Sequence, residues 1–251
     1  MMRETLVFGP IRSRRLGSSL GINLLPERGK LCNFDCIYCE CGWNADGRGD
    51  HRLPTAAELR EALRSRLESC RVAGTPIDSI TFSGDGEPTL NPDFPEIVDI
   101  TLSLRDEFYP DAKVSVLSNA SRLGDPAVFE ALRRVDNPIL KIDGSTSGRV
   151  RTINRPAFAY DLDRVLEQLR RFEGDFILQT IFLRSPEFDS TDPENVEGWM
   201  RIVRELRPRE VMVYTVDRET PLAGIGKVSA EEMAALVRPL VEEGFRIQIS
   251  G

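Results

Sequence analysis

Apolar segments rich in β-branched residues alternate with segments of helical hydrophobic periodicity from about residue 20 onward. Short apolar runs of this kind predict buried strands, and the longer amphipathic stretches predict helices. The predicted strands are 20–25 (LGINLL), 78–83 (DSITFS), 113–118 (KVSVLS), 138–142 (PILKI), 175–183 (DFILQTIFL), 210–216 (EVMVYTV) and a last run, FRIQIS. The predicted helices are about 55–71, 92–108, 125–134, 160–172, 192–206 and 229–243. Because strands that alternate with helices pair in parallel, the pattern predicts an α/β fold.

Several predicted helices begin at favourable capping residues. Ser or Thr followed three residues later by Glu is typical of a capping box, and Asp before Pro is typical of a first helical turn. The capping boxes are Thr55 with Glu58 and Ser229 with Glu232, and the proline starts are Asp125-Pro126 and Asp192-Pro193. These boundaries support the division into strands and helices.

Six strand–helix units are fewer than the eight of a complete barrel. The pattern therefore predicts a partial (βα)6 barrel, with a doubly wound open sheet as the alternative. No linker, low-complexity segment or repeat divides the sequence, so we expect one domain over 1–251. It would have a short lead-in at about 1–19 and a closing helix and strand at about 229–250. In both architectures, the loops after the strands open on one face and form the site.

Composition and net charge argue against several classes of protein. The 251 residues are 41% hydrophobic and 29% charged, and they carry a formal net charge of −7. This acidic balance argues against a broad nucleic-acid-binding surface, which is usually basic. The first residues show no apolar signal-peptide core, and no run of about 18 apolar residues predicts a membrane span. An odd number of cysteines does not suit a secreted disulfide framework, so we expect a cytoplasmic protein with reduced thiols.

Four of the five cysteines lie within ten residues, 32–41 (CNFDCIYCEC). Cys32, Cys36 and Cys39 form a CxxxCxxC pattern, and three thiolates on one short loop can hold three corners of a cubane iron–sulfur cluster. Structural zinc is one alternative, although zinc prefers four ligands and the only further candidates nearby are Cys41 and His51. Chance clustering of buried free cysteines is the other alternative.

The fourth predicted strand carries two charges on one face. Side chains alternate across a strand, so Lys141 and Asp143 share one face, while Leu140 and Ile142 share the other. If the apolar pair packs on helices, the charged pair points into the barrel. A buried Lys–Asp pair is costly unless it is used or satisfied, which makes the pair a candidate for catalysis or substrate contact. A structural salt bridge is the alternative.

The CxxxCxxC pattern with Tyr38 just before its third cysteine resembles the signature of the radical S-adenosylmethionine (SAM) superfamily. Residues 83–88 (SGDGEP) lie where that superfamily carries a Gly-Gly-Glu segment, with Asp85 where glycine is usual. A narrower resemblance, from about residue 8 to 218, is to iron–sulfur oxidoreductases related to the wyosine-forming tRNA enzymes. It is carried by GPIRSRRLGSSLGINLLP, CNFDCIYCE, FSGDGEPTLNP, SNAS, KIDGS, INRP and YTVDR. Such membership does not identify a substrate.

The resemblance implies that Cys32, Cys36 and Cys39 hold a 4Fe–4S cluster and that SAM chelates its fourth iron. The reduced cluster would donate an electron to the sulfonium, leaving methionine and a 5′-deoxyadenosyl radical that abstracts hydrogen from a substrate. This chemistry needs a low-potential cluster beside a dry cavity. It also implies a reducing partner such as flavodoxin or ferredoxin. A tRNA base is the nearest substrate analogy, and the acidic net charge disfavours it.

The resemblance also implies contacts to the nucleoside part of SAM. Tyr38 would place its ring or backbone against the adenine, and Ser118 and Asn119 resemble the ribose-binding position, because a hydroxyl and an amide suit ribose hydroxyls. The structural alternatives are a core aromatic for Tyr38 and an ordinary strand-end turn for Ser118 and Asn119.

The glycine segment 83–88 would hold the methionyl end of SAM. Gly84 and Gly86, on either side of Asp85, would let the backbone approach the ligand closely. Glu87, or a carbonyl of the same stretch, would accept a hydrogen bond from the amino group of SAM. A tight turn before Pro88 is the structural alternative, since such turns also favour glycine.

Three cluster ligands leave two cysteines, Cys41 beyond the motif and Cys70 on the apolar side of helix 55–71. Two cysteines cannot hold a second three-cysteine cluster of the kind found in wyosine-forming enzymes, and the chain would lack room for a flavodoxin-like domain. We therefore predict a radical SAM enzyme of unknown substrate. The alternatives are a protein-activating radical SAM enzyme and a non-catalytic iron–sulfur or zinc module.

Overall fold

The computed structural model describes residues 5–13, 15–27, 29–46 and 51–251, so residues 1–4 and 14 of the predicted lead-in lie outside the described residues. The chain divides into two compact units. The first comprises the described residues up to Cys32 together with those of Asn44–Ser118 and Gly124–Pro138. The second comprises Asn33–Trp43, Asn119–Leu123 and Ile139–Gly251. No helix in the described ranges is long and apolar enough to cross a lipid bilayer.

The first unit contains the strands β1 (Val7–Ser13), β2 (Gly17–Ile22), β3 (Ser79–Phe82) and β4 (Lys113–Ser118). They follow one another in the sheet in chain order. The first pair is antiparallel, and the next two pairs are parallel, as the alternation of strands and helices predicts. Ile22, Phe82 and Val116 are partners across adjacent strands, and all three are fully buried. Strands buried on both faces are typical of parallel sheets covered by helices.

Three helices belong to the first unit: α1 (Ala56–Val72), α2 (Phe94–Phe108) and α3 (Pro126–Arg134). The predicted capping box of α1 is confirmed, because the Thr55 hydroxyl accepts from the Glu58 amide and the Glu58 carboxylate accepts from the Thr55 amide at 2.9 Å. At the start of α3, Asp125 accepts from the amide of Ala127 at 3.0 Å, as expected for a cap before proline.

The second unit contains β5 (Asn137–Lys141) from Ile139 onward, together with β6 (Ile177–Ile181), β7 (Leu183–Arg184), β8 (Glu210–Tyr214), β9 (Gly226–Lys227) and β10 (Ile247–Ser250). Its four longer strands pair in parallel in the order β5-β6-β8-β10, and β7 and β9 form a separate antiparallel pair.

The helices of the second unit are α4 (Ser147–Asn154), α5 (Leu162–Arg170), α6 (Pro193–Leu206) and α7 (Ala230–Glu242). Trp199 of α6 is 1% exposed and packs edge-on against Phe182 with ring centroids 5.5 Å apart. Its indole N–H donates to the Thr180 hydroxyl at 2.9 Å. Helix α6 therefore covers the face of β6 that carries Thr180. Side chains alternate along a strand, so the opposite face of β6 is turned away from α6.

Strand β1, the two-residue strand β9 and helix α4 were not predicted. Strand β1 has the sequence VFGPIRS, in which a Gly-Pro pair interrupts the alternation of apolar and polar residues. Helix α4 lies in a segment predicted as loop, because its eight residues, SGRVRTIN, are mostly polar. It begins where the Thr146 hydroxyl accepts from the Arg149 amide, and it ends at Arg155, whose φ of 44° is left-handed. Strand β2 also lies about three residues earlier than predicted.

Asp136 holds the start of β4 to α2 within the first unit. One carboxylate oxygen accepts from the Val114 amide at 2.9 Å and from the Arg105 guanidinium at 2.7 Å. Partial burial opposes ionisation, but these donors hold the pKa of Asp136 below its usual value. A lowered folded pKa stabilises the protein above the unfolded value of about 3.9, and this stabilisation is lost as the pH falls through the folded pKa.

We expect Asp136→Asn to lower the free energy of unfolding by about 1–3 kcal/mol at pH 7, because Arg105 loses a charge-assisted partner. The difference from wild type should shrink as the pH falls below about 4. Urea denaturation of both proteins at neutral and acidic pH measures this. The control is Asp106→Asn, which removes a 68% exposed partner of the same arginine and should cost less than about 1 kcal/mol. An equal loss in both variants would contradict the assignment.

Candidate functional site

Residues 33–41 of the cysteine loop (residues 32–41) lie in the second unit and are held in place there by residues 153–157. The Asp35 amide donates to the Asn154 carbonyl at 2.9 Å, and the Ile37 amide donates to the Ile153 carbonyl at 3.0 Å. Nearer the start of the loop, the Ala157 amide donates to the Asn33 carbonyl at 2.9 Å. These backbone hydrogen bonds form a short ladder on both sides of Cys36.

All five cysteines are free thiols. Cys36 is buried, whereas Cys32, Cys39 and Cys41 are half-buried. The loop turns at its end, where the Cys39 amide donates to the Cys36 carbonyl at 3.1 Å. Cys70 is buried on the apolar face of α1, which confirms its prediction as a core residue.

The Cys36 sulfur accepts two hydrogen bonds, one from a half-buried donor, Lys141, and one from a buried donor, Asn154. The Lys141 ammonium lies 3.2 Å from Sγ, and the Asn154 side-chain nitrogen lies 3.3 Å from it. N–H donors of this kind commonly bond the sulfurs that ligate metals in iron–sulfur centres. Of the thiols in the loop, Cys36 therefore has surroundings suited to a metal ligand.

Asp143 connects the residues around Cys36. Its Oδ2 accepts from the Asn154 side chain at 2.7 Å and from the Tyr38 hydroxyl. Its Oδ1 accepts from the Ile181 amide at 3.1 Å, and the Lys141 ammonium lies 3.5 Å from Oδ2. The carboxylate is 2% exposed and well satisfied, as a buried charge requires.

Lys141 also faces the ring system of the loop. Its ammonium donates to the Tyr38 hydroxyl at 3.0 Å and lies 5.4 Å from the ring centroids of both Tyr38 and Phe34. Burial, followed by the charge of Asp143, raises the pKa of Tyr38 well above its usual value, so the phenol stays protonated. The prediction that Lys141 and Asp143 share a face agrees with these contacts, because both side chains meet the same tyrosine.

The glycine segment 83–88 follows β3 in the first unit and contacts the residues that precede the cysteine loop. The Leu31 amide donates to the Asp85 carbonyl at 3.0 Å, and the Glu87 amide donates to the Leu31 carbonyl at 3.2 Å. A Cβ at Gly86 would come within 1.8 Å of that Leu31 carbonyl oxygen, and a Cβ at Gly84 would come within 1.9 Å of the Asn23 side-chain oxygen. Both glycines are therefore required by close packing inside this unit.

Asp85 and Glu87 are buried at 1% and 2% exposure. The Asp85 amide donates to the Asn23 side-chain oxygen at 3.1 Å. Glu87 caps a short 3-10 turn, and its Oε1 accepts from the amide and hydroxyl of Thr89 at 3.2 and 2.6 Å. The same oxygen accepts from the Ser118 hydroxyl at 2.8 Å. The structure thus brings together the predicted residues Glu87 and Ser118 through a direct hydrogen bond.

Asn119 belongs to a separate network in the second unit. Its side-chain nitrogen donates to the Asn33 side-chain oxygen at 2.8 Å, and its oxygen accepts from the Ser121 amide at 3.0 Å. Between them, Ala120 adopts a left-handed φ of 62°. The strand-end turn, which is the structural alternative, is therefore present, and Asn119 is bonded to Asn33 of the cysteine loop.

The cysteine loop, the glycine segment and strands β3 to β6 all lie within one match to a known protein family. The protein-family model of the radical SAM superfamily matches residues 27–183, which is more than half of the chain. The chain belongs to the radical SAM superfamily. A relative of the same chain is the UPF0026 protein slr1464 of Synechocystis, which is 32% identical over 222 residues, 86% of this chain and 77% of that protein. The predicted superfamily is thereby confirmed.

Solved structures of radical SAM proteins share the fold. SuiB of Streptococcus suis bound to S-adenosylmethionine has a TM-score of 0.66 at 15% identity, with 89% of this chain covered, and this chain spans about half of SuiB, 49% of its length. TYW1, a wyosine-forming enzyme solved with a lysine-pyruvate adduct bound, has a TM-score of 0.64 at 15% identity and covers 89% of this chain and 73% of its own. The predicted fold class, an α/β partial (βα)6 barrel of the radical SAM type, is confirmed.

The donor chemistry of the loop fits the cluster that radical SAM proteins use. In the described part of the chain, no group of three or more His, Cys, Asp or Glu side chains is arranged as a metal site. The loop nevertheless supplies three free thiols in the CxxxCxxC pattern, and the Cys36 sulfur accepts two N–H donors. Hydrogen bonds to ligating sulfurs are typical of iron–sulfur centres.

Two residues of the candidate site, Asn154 and Asn23, were not predicted from the sequence. Asn154 is 1% exposed and touches Cys36, Tyr38 and Asp143. Asn23 is 2% exposed and contacts Asp85. The sequence does contain a signal for Asn154, because it lies in INRP, one of the segments that carry the family resemblance. Asn23 lies at the end of an apolar strand, and its sequence has no comparable signal.

Proposed function

We propose that this chain is a radical SAM enzyme that binds a 4Fe–4S cluster through Cys32, Cys36 and Cys39 and cleaves SAM reductively. The observation that carries the proposal is the buried Cys36 sulfur with two N–H donors, in a chain whose superfamily match includes the complete CxxxCxxC pattern. When bound, the cluster supplies the electron that divides SAM into methionine and a 5′-deoxyadenosyl radical, which abstracts hydrogen from a substrate.

Residues of this chain would stabilise the negative charge of the cluster and its thiolate ligands. Cys36 is the buried ligand, and the ammonium of Lys141 would offset the negative charge of its thiolate. Asp143 holds Lys141 and Asn154 in position through an ion pair and a hydrogen bond. This support of the site would be needed for a catalytic role of the pair and for a structural salt bridge alike. We propose Lys141 and Asp143 as the catalytic pair because they form an ion pair at this site and both contact Tyr38. Lys141 also donates to Cys36, a proposed cluster ligand.

For the methionyl end of SAM, we propose the segment from Gly84 to Glu87. Oε1 of Glu87 accepts from Thr89 and Ser118, and either Glu87 or a backbone carbonyl of the segment would accept from the amino group of SAM. In this arrangement, Glu87 would shape the segment, and the two glycines and Asp85 would keep its backbone close-packed.

For the nucleoside part of SAM, we propose Tyr38, Ser118 and Asn119. The Tyr38 hydroxyl is held by Asp143, which orients the ring for a contact to adenine. The Ser118 hydroxyl donates to Glu87, and the Asn119 side-chain nitrogen donates to Asn33. A hydroxyl and an amide are groups that suit ribose hydroxyls.

The test is SAM cleavage by anaerobically reconstituted protein with dithionite as the reductant. We expect slow formation of 5′-deoxyadenosine without added substrate, detected by chromatography, and none when dithionite or SAM is omitted. A protein that takes up iron and sulfide but neither binds nor cleaves SAM would favour the non-catalytic module instead. Stoichiometric zinc with no uptake of iron would end the proposal.

A further inference from the structure

Asn154 is held rigidly at the last residue of α4. Its carbonyl accepts from the Asp35 amide at 2.9 Å, and the carbonyl of the preceding Ile153 accepts from the Ile37 amide at 3.0 Å. These two bonds bracket Cys36, so the backbone places Asn154 beside that cysteine. The next residue, Arg155, ends the helix in the left-handed conformation. Because the side chain is 1% exposed, it has little freedom to turn elsewhere.

The orientation of the Asn154 amide follows from its partner Asp143. The side-chain nitrogen lies 2.7 Å from a carboxylate oxygen that also accepts from the Tyr38 hydroxyl. A carboxylate only accepts, whereas an amide nitrogen donates two hydrogens. Reversing the amide would place two acceptor oxygens against each other, so the nitrogen is the atom on this side. That nitrogen is also the atom 3.3 Å from the Cys36 sulfur.

We propose that Asn154 is a positioning residue that acts through Cys36 to raise the reduction potential of the iron–sulfur centre. The inference rests on the proposed function, in which Cys36 ligates that centre. Reduction adds negative charge, part of which resides on the ligating sulfurs. An N–H donor on a sulfur therefore stabilises the reduced form more than the oxidised form, and the potential becomes less negative. Burial strengthens the effect, because water does not screen the bond.

Lys141 reaches the same sulfur at 3.2 Å and carries a full positive charge. Its effect on the potential has the same sign, but it also contacts Asp143 and Tyr38, so its removal disturbs several charges at once. Asn154 is neutral. Replacing it removes the hydrogen bonds to the Cys36 sulfur and to Asp143 but leaves the net charge of the site unchanged, which makes it the better residue to test.

The experiment compares wild type with Asn154→Leu, which keeps a similar volume and removes the N–H donor. Both proteins are reconstituted anaerobically with ferrous iron and sulfide, titrated with dithionite in the presence of redox mediators, and followed by EPR of the reduced cluster. We expect the ratio of reduced to oxidised cluster at a fixed potential to fall about tenfold, which for one electron is a midpoint about 59 mV more negative.

The matched control is Asn195→Leu in the same unit. Asn195 is also buried, at 3% exposure, and it makes two hydrogen bonds, donating to the Ser190 carbonyl at 2.9 Å and accepting from the Ser145 amide at 3.1 Å. Its replacement removes a buried amide without removing a donor to Cys36, so we expect the wild-type midpoint.

Asn154→Ala serves as a second variant if Asn154→Leu holds no cluster. An unchanged midpoint in a loaded Asn154 variant would overturn the inference and leave the proposed function standing. Loss of the cluster from both Asn154 variants, with retention by Asn195→Leu, would assign Asn154 a purely structural role and also overturn the inference. Wild-type protein that takes up no iron and sulfide would remove the proposed function and this inference together.

Discussion

Cys36→Ala is expected to abolish the iron–sulfur centre and all reductive cleavage of SAM. The wild-type protein should hold about four irons and four sulfides per chain after anaerobic reconstitution, as expected for a cubane cluster. Cys36 is the buried cysteine of the loop, and its sulfur lies between Lys141 and Asn154. Alanine removes the ligand and leaves these two donors facing a methyl group. Cys32→Ala and Cys39→Ala should have the same effect, since a three-cysteine site has no ligand to spare.

Iron and sulfide analysis, with absorbance of the thiolate-to-iron bands, measures this loss across all five cysteine variants. Cys41→Ala and Cys70→Ala are the controls and should retain the cluster. Cys41 lies beyond the motif, and Cys70 is buried in the apolar face of α1. Loss of the cluster in Cys41→Ala would contradict the three-ligand arrangement, because the fourth iron would then be ligated by the protein.

Gly86→Ala is expected to lower the free energy of unfolding by about 3 kcal/mol or more, through backbone strain and a steric clash. Gly86 has a φ of 144°, which side chains rarely adopt, and a Cβ there would lie 1.8 Å from the Leu31 oxygen and 2.5 Å from the Leu31 carbonyl carbon. Backbone atoms cannot rotate away as a side chain can. The variant must therefore break the hydrogen bonds that join Leu31 to Asp85 and Glu87.

Because Leu31 directly precedes Cys32, the same displacement should weaken the binding of SAM to the reconstituted protein. Thermal denaturation and equilibrium dialysis with SAM measure the two effects. Gly124→Ala is the matched control in the same unit, since a Cβ there has no neighbour within 4 Å, and we expect a change below about 0.5 kcal/mol. A Gly86→Ala protein with the stability and SAM affinity of wild type would show that the segment yields easily, contrary to our interpretation.

Local signals were sufficient for most of the fold. The capping box of Thr55 and Glu58 acts within four residues, and the apolar strand around Phe82 is buried on both faces, so each can be recognised without knowledge of what it packs against. Strand β1 was missed because a Gly-Pro pair interrupts its pattern, although its partner β2 is the next strand in the chain. Helix α4 depends on a distant partner. Helix α4 is short and polar, and its position depends partly on the backbone ladder to the cysteine loop, more than a hundred residues earlier in the chain.

The candidate site also combines features that local sequence predicts with contacts that only the structure shows. The spacing of Cys32, Cys36 and Cys39 is a local pattern, and the alternation of Lys141 and Asp143 follows from the geometry of one strand. The hydrogen bond from Ser118 to Glu87 cannot be predicted in this way, because a contact between residues 31 positions apart leaves no periodic pattern in the sequence. For the same reason, the glycines of segment 83–88 were interpreted as ligand contacts, and their close packing against Leu31 and Asn23 became visible only in the structure.

The sequence by itself determined the superfamily, the α/β class and the cysteine loop, because these depend on residue type, spacing and short-range periodicity. The tertiary structure decided which donors surround the Cys36 sulfur. Asn154 meets Cys36 across 118 positions and Lys141 meets it across 105. Whether two such residues touch depends on how strands pair and loops close, and many combinations of side chains are compatible with the same local pattern. Only the folded chain selects among them, through backbone hydrogen bonds and burial.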